Sequence, residues 1–212
     1  MKKILTLVLA VLLAVSLVSC QGDKSEEMDE TFASYMGAVE TTGYACFAFG
    51  DALGDAGSAT EAVTLDLANV DESKISLTAL IGDLVLDDEH WAANTTIKSK
   101  KGTIEGTYSD NGDKDLTFKG VEVSLTYQKA KGSDKDSNVE TITITIDGTF
   151  KQKTVQDKSE SAEVKLTING KSYNYETVTE VDAETGKSVY KSATINGKSV
   201  NLTVLNNYLF SD

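Results

Sequence analysis

The only histidine of the chain, His90, sits in the run Asp87-Asp88-Glu89-His90-Trp91, beside the only tryptophan. Carboxylates and an imidazole are the groups that bind a divalent metal or move a proton. Neighbouring side chains on an extended chain point to opposite faces, which works against convergence on one ion. The expectation is a solvated acidic turn with Trp91 entering the core. Asp134-x-Asp136-x-Asn138 has the spacing of the first three ligands of a calcium loop. Such a loop needs Gly at its sixth position and a bidentate Glu at its twelfth, and Val139 and Thr145 stand there. Asp134, Asp136 and Asn138 are thus metal candidates by spacing only, and a charged loop is expected. Asp110-Asn111-Gly112-Asp113 reads first as a turn. Cys46, between Ala45 and Phe47, is expected to be a buried, inert thiol. As a nucleophile it would need a base, and His90 is the sole histidine to serve. Tyr173, Tyr175, Tyr190 and Tyr208 lie in the C-terminal third. Tyr173 and Tyr175 share one strand face and are candidates for lining a ligand concavity, with sheet packing as the alternative. No catalytic residue is assigned, and no cofactor is implied.

The elements that must position these residues fall into two groups. Met28, Phe32, Tyr35, Met36 and Val39 recur at helical spacing, which predicts a helical segment over 28–58. Gly43 leaves open one continuous helix or two shorter ones, and Gly54 to Ser58 should end it. Its small residues, Ala45, Ala48, Gly50, Ala52 and Gly54, suit a helix lying closely on a sheet. Over 59–212 the chain alternates apolar and polar residues. Val63-Leu65-Leu67, Val121-Val123-Leu125-Tyr127, Ile142-Ile144-Ile146, Val164-Leu166-Ile168 and Val200-Leu202-Val204 each read as a half-buried strand. Asn169-Gly170 and Asn196-Gly197 read as tight hairpin turns. Lys101-Gly102, Asn111-Gly112 and Asp182–Lys187 read as further turns, and Gln128–Asn138 as a longer charged hairpin loop. The expected fold is mainly β: an antiparallel meander of about nine to eleven strands forming a curved sheet, soluble barrel or sandwich, with the N-terminal helix packed on it. Thr103–Tyr108 resembles Thr145–Phe150, and Thr167–Ser172 recurs as Thr194–Ser199, at differing offsets. Hairpin units sharing one turn chemistry explain this better than a repeat of fixed period.

Met1-Lys2-Lys3 precedes the apolar run Ile4 to Val18. A spanning helix needs roughly 20 apolar residues, so this run suits a signal peptide over residues 1–19 better. It ends in Leu17-Val18-Ser19-Cys20. This motif resembles the lipobox of bacterial lipoproteins. The resemblance implies cleavage before Cys20, lipidation of Cys20, and a short tether over 20–27. In that family an Asp after the cysteine marks inner-membrane retention in enteric bacteria. Gln21 stands there, so an outer-membrane address is implied, with its periplasmic or surface face left open.

All 20 basic residues are Lys, against 33 acids. The imbalance disfavours nucleic acid and anionic lipid surfaces as electrostatic partners. With Cys20 lipidated, Cys46 is the only other thiol, so no intrachain disulfide is expected. The leading functional expectation is a non-enzymatic, lipid-anchored binding or interaction module of the cell envelope. An envelope or extracellular protein or a small ligand would be its partner. A structural or surface-coat lipoprotein without a ligand site comes next, and a small-ligand-binding or enzymatic β-barrel follows.

Overall fold

The computed structural model describes residues 30–55, 59–77, 79–80, 92–109, 113–129, 139–155 and 159–210. The lipobox with Cys20, the acidic run at His90, and Asp134, Asp136 and Asn138 lie outside the described residues.

Eight strands form one antiparallel sheet in strictly sequential order. They are β1 (Ala59–Asp66), β2 (Ala92–Tyr108), β3 (Lys114–Lys129), β4 (Val139–Val155), β5 (Ser159–Ile168), β6 (Lys171–Val181), β7 (Ser188–Ile195) and β8 (Lys198–Ser199). This is the expected meander, and it is open: each strand pairs only with its chain neighbours, and β1 and β8 are the two edges. The nine to eleven strands expected are eight among the described residues. Lys101-Gly102 is one source of the excess. It lies inside β2 as an irregularity in the pairing with β3, where Gly102 has φ +92 and presses against the backbone of Gly120.

The parity of the apolar residues explains such bulges. In β3 the inward residues Leu116 and Phe118 are even-numbered, whereas Val121, Val123 and Leu125 are odd-numbered. One extra residue must be absorbed between them to keep both sets inside. The register shift falls between Phe118 and Val121. There Gly120 takes φ +55 and its N–H donates to the Asp147 carboxylate at 2.6 Å. In β4, Ile144, Ile146 and Phe150 keep one parity, and its pairing with β5 is unbroken.

The repeats share turn and bend chemistry, as expected. Asn169-Gly170 and Asn196-Gly197 both form tight turns with two positive φ values, near 50° and 75°. Gly106 and Gly148, equivalent in the Thr103–Tyr108 and Thr145–Phe150 segments, each lie hard against a carbonyl of the next strand.

Helix α1 (Glu30–Asp55) runs unbroken through Gly43. A helix-interior glycine costs only about 1 kcal/mol relative to Ala, which packing offsets. Phe32, Tyr35, Ala38, Thr42, Ala45, Ala48, Phe49 and Ala52 form its buried stripe. The stripe joins the inner face of the sheet in one core, with Phe49 edge-on to Phe118 at 6.4 Å. Two 3₁₀ turns, Leu67–Asn69 and Glu72–Lys74, are capped by the carboxylates of Asp66 and Asp71. The Ser76 N–H donates to the Ala48 carbonyl at 2.9 Å, tying this segment to α1.

The expectation of strand to the end of the chain is overturned. Val200-Leu202-Val204 is not a strand: Leu202–Phe210 forms a second helix, α2. Asn201 starts it, accepting from the N–H groups of Thr203 and Val204. Five alternating residues cannot distinguish the two periods. The helical one wins because it buries Leu205, leaving Val204 outside. Among the described residues no helix is long and apolar enough to cross a membrane.

Candidate functional site

Along the inward faces of β3, β4, β5 and β6 the residues change from apolar to polar toward one end of the sheet. Leu116, Phe150, Val164, Tyr175 and Ile195 are aligned by register across β3 to β7 as an apolar row. Two residues further along each strand, the aligned row is Lys114, Gln152, Ala162, Thr177 and Ala193. Glu160, Thr179 and Tyr190 are aligned beyond it. A bulge at β7, where Tyr190 pairs with Thr179 and Ser192 with Val178, accommodates Lys191 and leaves Tyr190 on the inner side.

One face of α1 lies over these rows. Tyr35, Val39, Thr42, Gly43 and Cys46 follow helical spacing, and with the sheet residues they line a cleft of about 140 Å³. Tyr35 meets the rings of Tyr175 and Tyr190 edge-on, at 5.9 and 6.4 Å. The cleft is therefore lined by aromatic and threonine side chains, with two residues of opposite charge, Lys114 and Glu160, among them.

Two hydroxyls of these side chains lack a well-formed hydrogen bond. Among the described residues, Tyr35 Oη and Thr42 Oγ1 are buried with no hydrogen bond, and both residues are only 1% exposed. Tyr190 stands beside Tyr35, and Tyr175 beside Thr42, as weak hydrogen-bonding neighbours that shift each other's ionisation, but neither contact meets full hydrogen-bond geometry. A buried polar group left unsatisfied costs about 1–3 kcal/mol.

Burial governs the ionisation of the site. It pushes the Cys46 thiol up to about 11, against a smaller opposing pull from Lys114. Burial also raises the phenols of Tyr35, Tyr175 and Tyr190. It raises the Glu160 carboxyl, opposed by Lys114 and by the Gln152 amide, which donates to it. The interior thus favours neutral groups, and Cys46 is a thiol rather than a thiolate at neutral pH.

Of the residues singled out from sequence, Tyr175, Tyr190 and Cys46 line the cleft. Tyr173 faces inward as expected, but it lies outside the cleft lining, with the Lys171 ammonium 5.2 Å from its ring centroid. Tyr208 is edge-on to Phe32 at 5.3 Å, also away from the cleft. Sequence reasoning missed Tyr35 and Thr42 as site residues, and with them Gln152 and Glu160. The signal was present: continuing each strand's alternation past its last apolar residue puts Lys114, Gln152 and Glu160 on the inner face. Comparison of the chain with protein-family models, with curated proteins and with solved structures finds no match in any of the three.

Proposed function

We propose that this chain is a lipid-anchored, non-enzymatic binding module of the bacterial cell envelope, and that the cleft between α1 and the sheet holds a small ligand. The observation that carries the reading is the pair of buried hydroxyls, Tyr35 Oη and Thr42 Oγ1, on residues that line the cleft and with no well-formed hydrogen bond among the described residues. A ligand would supply the missing hydrogen bonds. The space is close to that of a cavity of ~150 Å³ known to bind benzene, which makes the ligand about one ring in size. Gly43 supports the reading: a Cβ there would meet nothing within 4 Å among the described residues, so the helix leaves room where it could have packed.

The anchor rests on Leu17-Val18-Ser19-Cys20. The nine residues between Cys20 and the start of α1 reach at most about 35 Å when extended. The helix and the cleft beneath its first half would then lie near the bilayer, in the outer membrane by the Gln21 rule.

Two measurements test this. Cys20→Ala is expected to leave the protein unlipidated and outside the washed membrane fraction; retention there refutes the anchor. Native mass spectrometry of the chain taken from its own membranes is expected to show a small-molecule adduct. Gly43→Leu, which fills the cleft from the helix side, should lose that adduct while remaining folded. A bare mass in the unaltered chain, or a co-purifying protein in its place, would turn the assignment to a coat or protein-interaction role.

A further inference from the structure

The chemistry of the cleft narrows its ligand, on the assumption that the ligand-binding reading above holds. The rings of Tyr35, Tyr175, Tyr190 and Phe150 line a space of about 140 Å³, and Tyr35 already packs edge to face with the other two tyrosines. An aromatic cluster of this kind favours a further ring, packed edge to face or offset. The unsatisfied atoms are hydroxyls, which donate as readily as they accept. One oxygen on the ring, as a hydroxyl or a carbonyl, could serve either of them. The fixed charges are one lysine and one glutamate, so the lining offers no surplus of either sign to pair with an ionised ligand. Burying an unpaired charge costs far more than burying a neutral group.

We propose that the cleft selects an uncharged, single-ring aromatic molecule bearing one hydroxyl or carbonyl oxygen, held by Tyr35 Oη and Thr42 Oγ1.

The test uses the full chain in non-ionic detergent, with thermal unfolding followed by fluorescence as each probe is titrated. The probes are phenol, benzamide, toluene, benzoate and benzylamine. Gly43→Leu in the same micelles is the reference, which cancels partitioning of the probe into detergent. Phenol and benzamide should raise the melting temperature of the unaltered chain but not of Gly43→Leu. Toluene should bind at least tenfold more weakly, and benzoate and benzylamine should give no shift. Tyr35→Phe and Thr42→Val should each weaken phenol several-fold and leave toluene unchanged. If toluene binds as well as phenol, or if a charged probe binds best, the selectivity is refuted while the cleft remains a binding site. If phenol binds equally to Tyr35→Phe and Thr42→Val, the hydroxyl assignment is refuted. If no probe distinguishes the unaltered chain from Gly43→Leu, the binding reading falls with it.

Discussion

At Glu160 the cost of the site can be measured through pH. Burial lifts its carboxyl above the ordinary value of 4.5, and Lys114 and Gln152 only partly offset this. The folded state therefore binds this proton more tightly than the unfolded state does. By linkage, stability falls as pH rises from about the ordinary value through the folded one, and is flat beyond it. Glu160→Gln keeps the shape and removes the titration. The variant is expected to be more stable than the unaltered protein at pH 7.5 and nearly equal to it at pH 3.5, in urea melts at both values. A stability difference independent of pH would show that burial of the charge is not the cause. The same residue marks the limit of sequence reading. Glu160 is one of 33 acids, and only the pairing of β5 with β4 and β6 sets it beside Gln152 and Thr179 instead of in solvent.

The strands show the same division at the scale of elements. Residues 92–108, 114–129 and 139–155 form strands of 16 or 17 residues, several times the usual length of about 5–6. They are interrupted by glycines that bend without breaking them. At Gly148, φ is +122 and a Cβ would lie 2.0 Å from the Lys165 carbonyl oxygen, a backbone atom in the adjoining strand. Gly148→Ala is expected to destabilise by about 3 kcal/mol or more, since the ladder itself must move. Gly37, within α1, has open space at its Cβ position. Gly37→Ala is expected to stabilise by up to about 1 kcal/mol. Chemical denaturation of the pair should give opposite signs; equal signs would contradict the packing described. Glycine by itself does not tell a turn from a bend, which is why Lys101-Gly102 reads as a turn in sequence. Asn169-Gly170 and Asn196-Gly197 are legible because Asn-Gly suits the left-handed geometry of a two-residue turn.

For the molecule as a whole, an open sheet must protect its edges. The short β8 pairs only with Thr194 and Ile195, so the rest of β7 is also an edge, and there the protection comes from α2. The Asn206 side chain accepts from the Tyr190 N–H at 2.8 Å and donates to the Tyr190 carbonyl at 3.1 Å, so one amide side chain takes the place of a strand. It also holds the backbone of a residue that lines the cleft. Asn206→Ala is expected to cost about 1–3 kcal/mol. It should also increase self-association, measured by sedimentation velocity. A variant as stable and as monodisperse as the unaltered chain would show that the clamp does not guard the edge. On the polar outer face, exposed pairs such as Lys101–Glu122 at 3.0 Å contribute about 0–1 kcal/mol each, so packing on the inner face carries the fold.

The local periods were legible from the residues alone: a helix at the N-terminal side, alternating strands after it, two Asn-Gly hairpins, and hence a sequential antiparallel meander. These are legible because period and turn chemistry are properties of neighbouring residues. The parity change between Phe118 and Val121 acquires its meaning as a bulge only from the pairing of β3 with β4. Packing between distant segments settled the rest: α1 passes straight through Gly43, a helix begins at Leu202, and the sheet stays open. It alone brought Tyr35 and Thr42 over Gln152, Glu160 and Tyr175. The reason is physical: a cleft between a helix and a sheet depends on register and on close approach between segments more than a hundred residues apart, and no local pattern encodes which hydroxyls such an approach will leave unpaired.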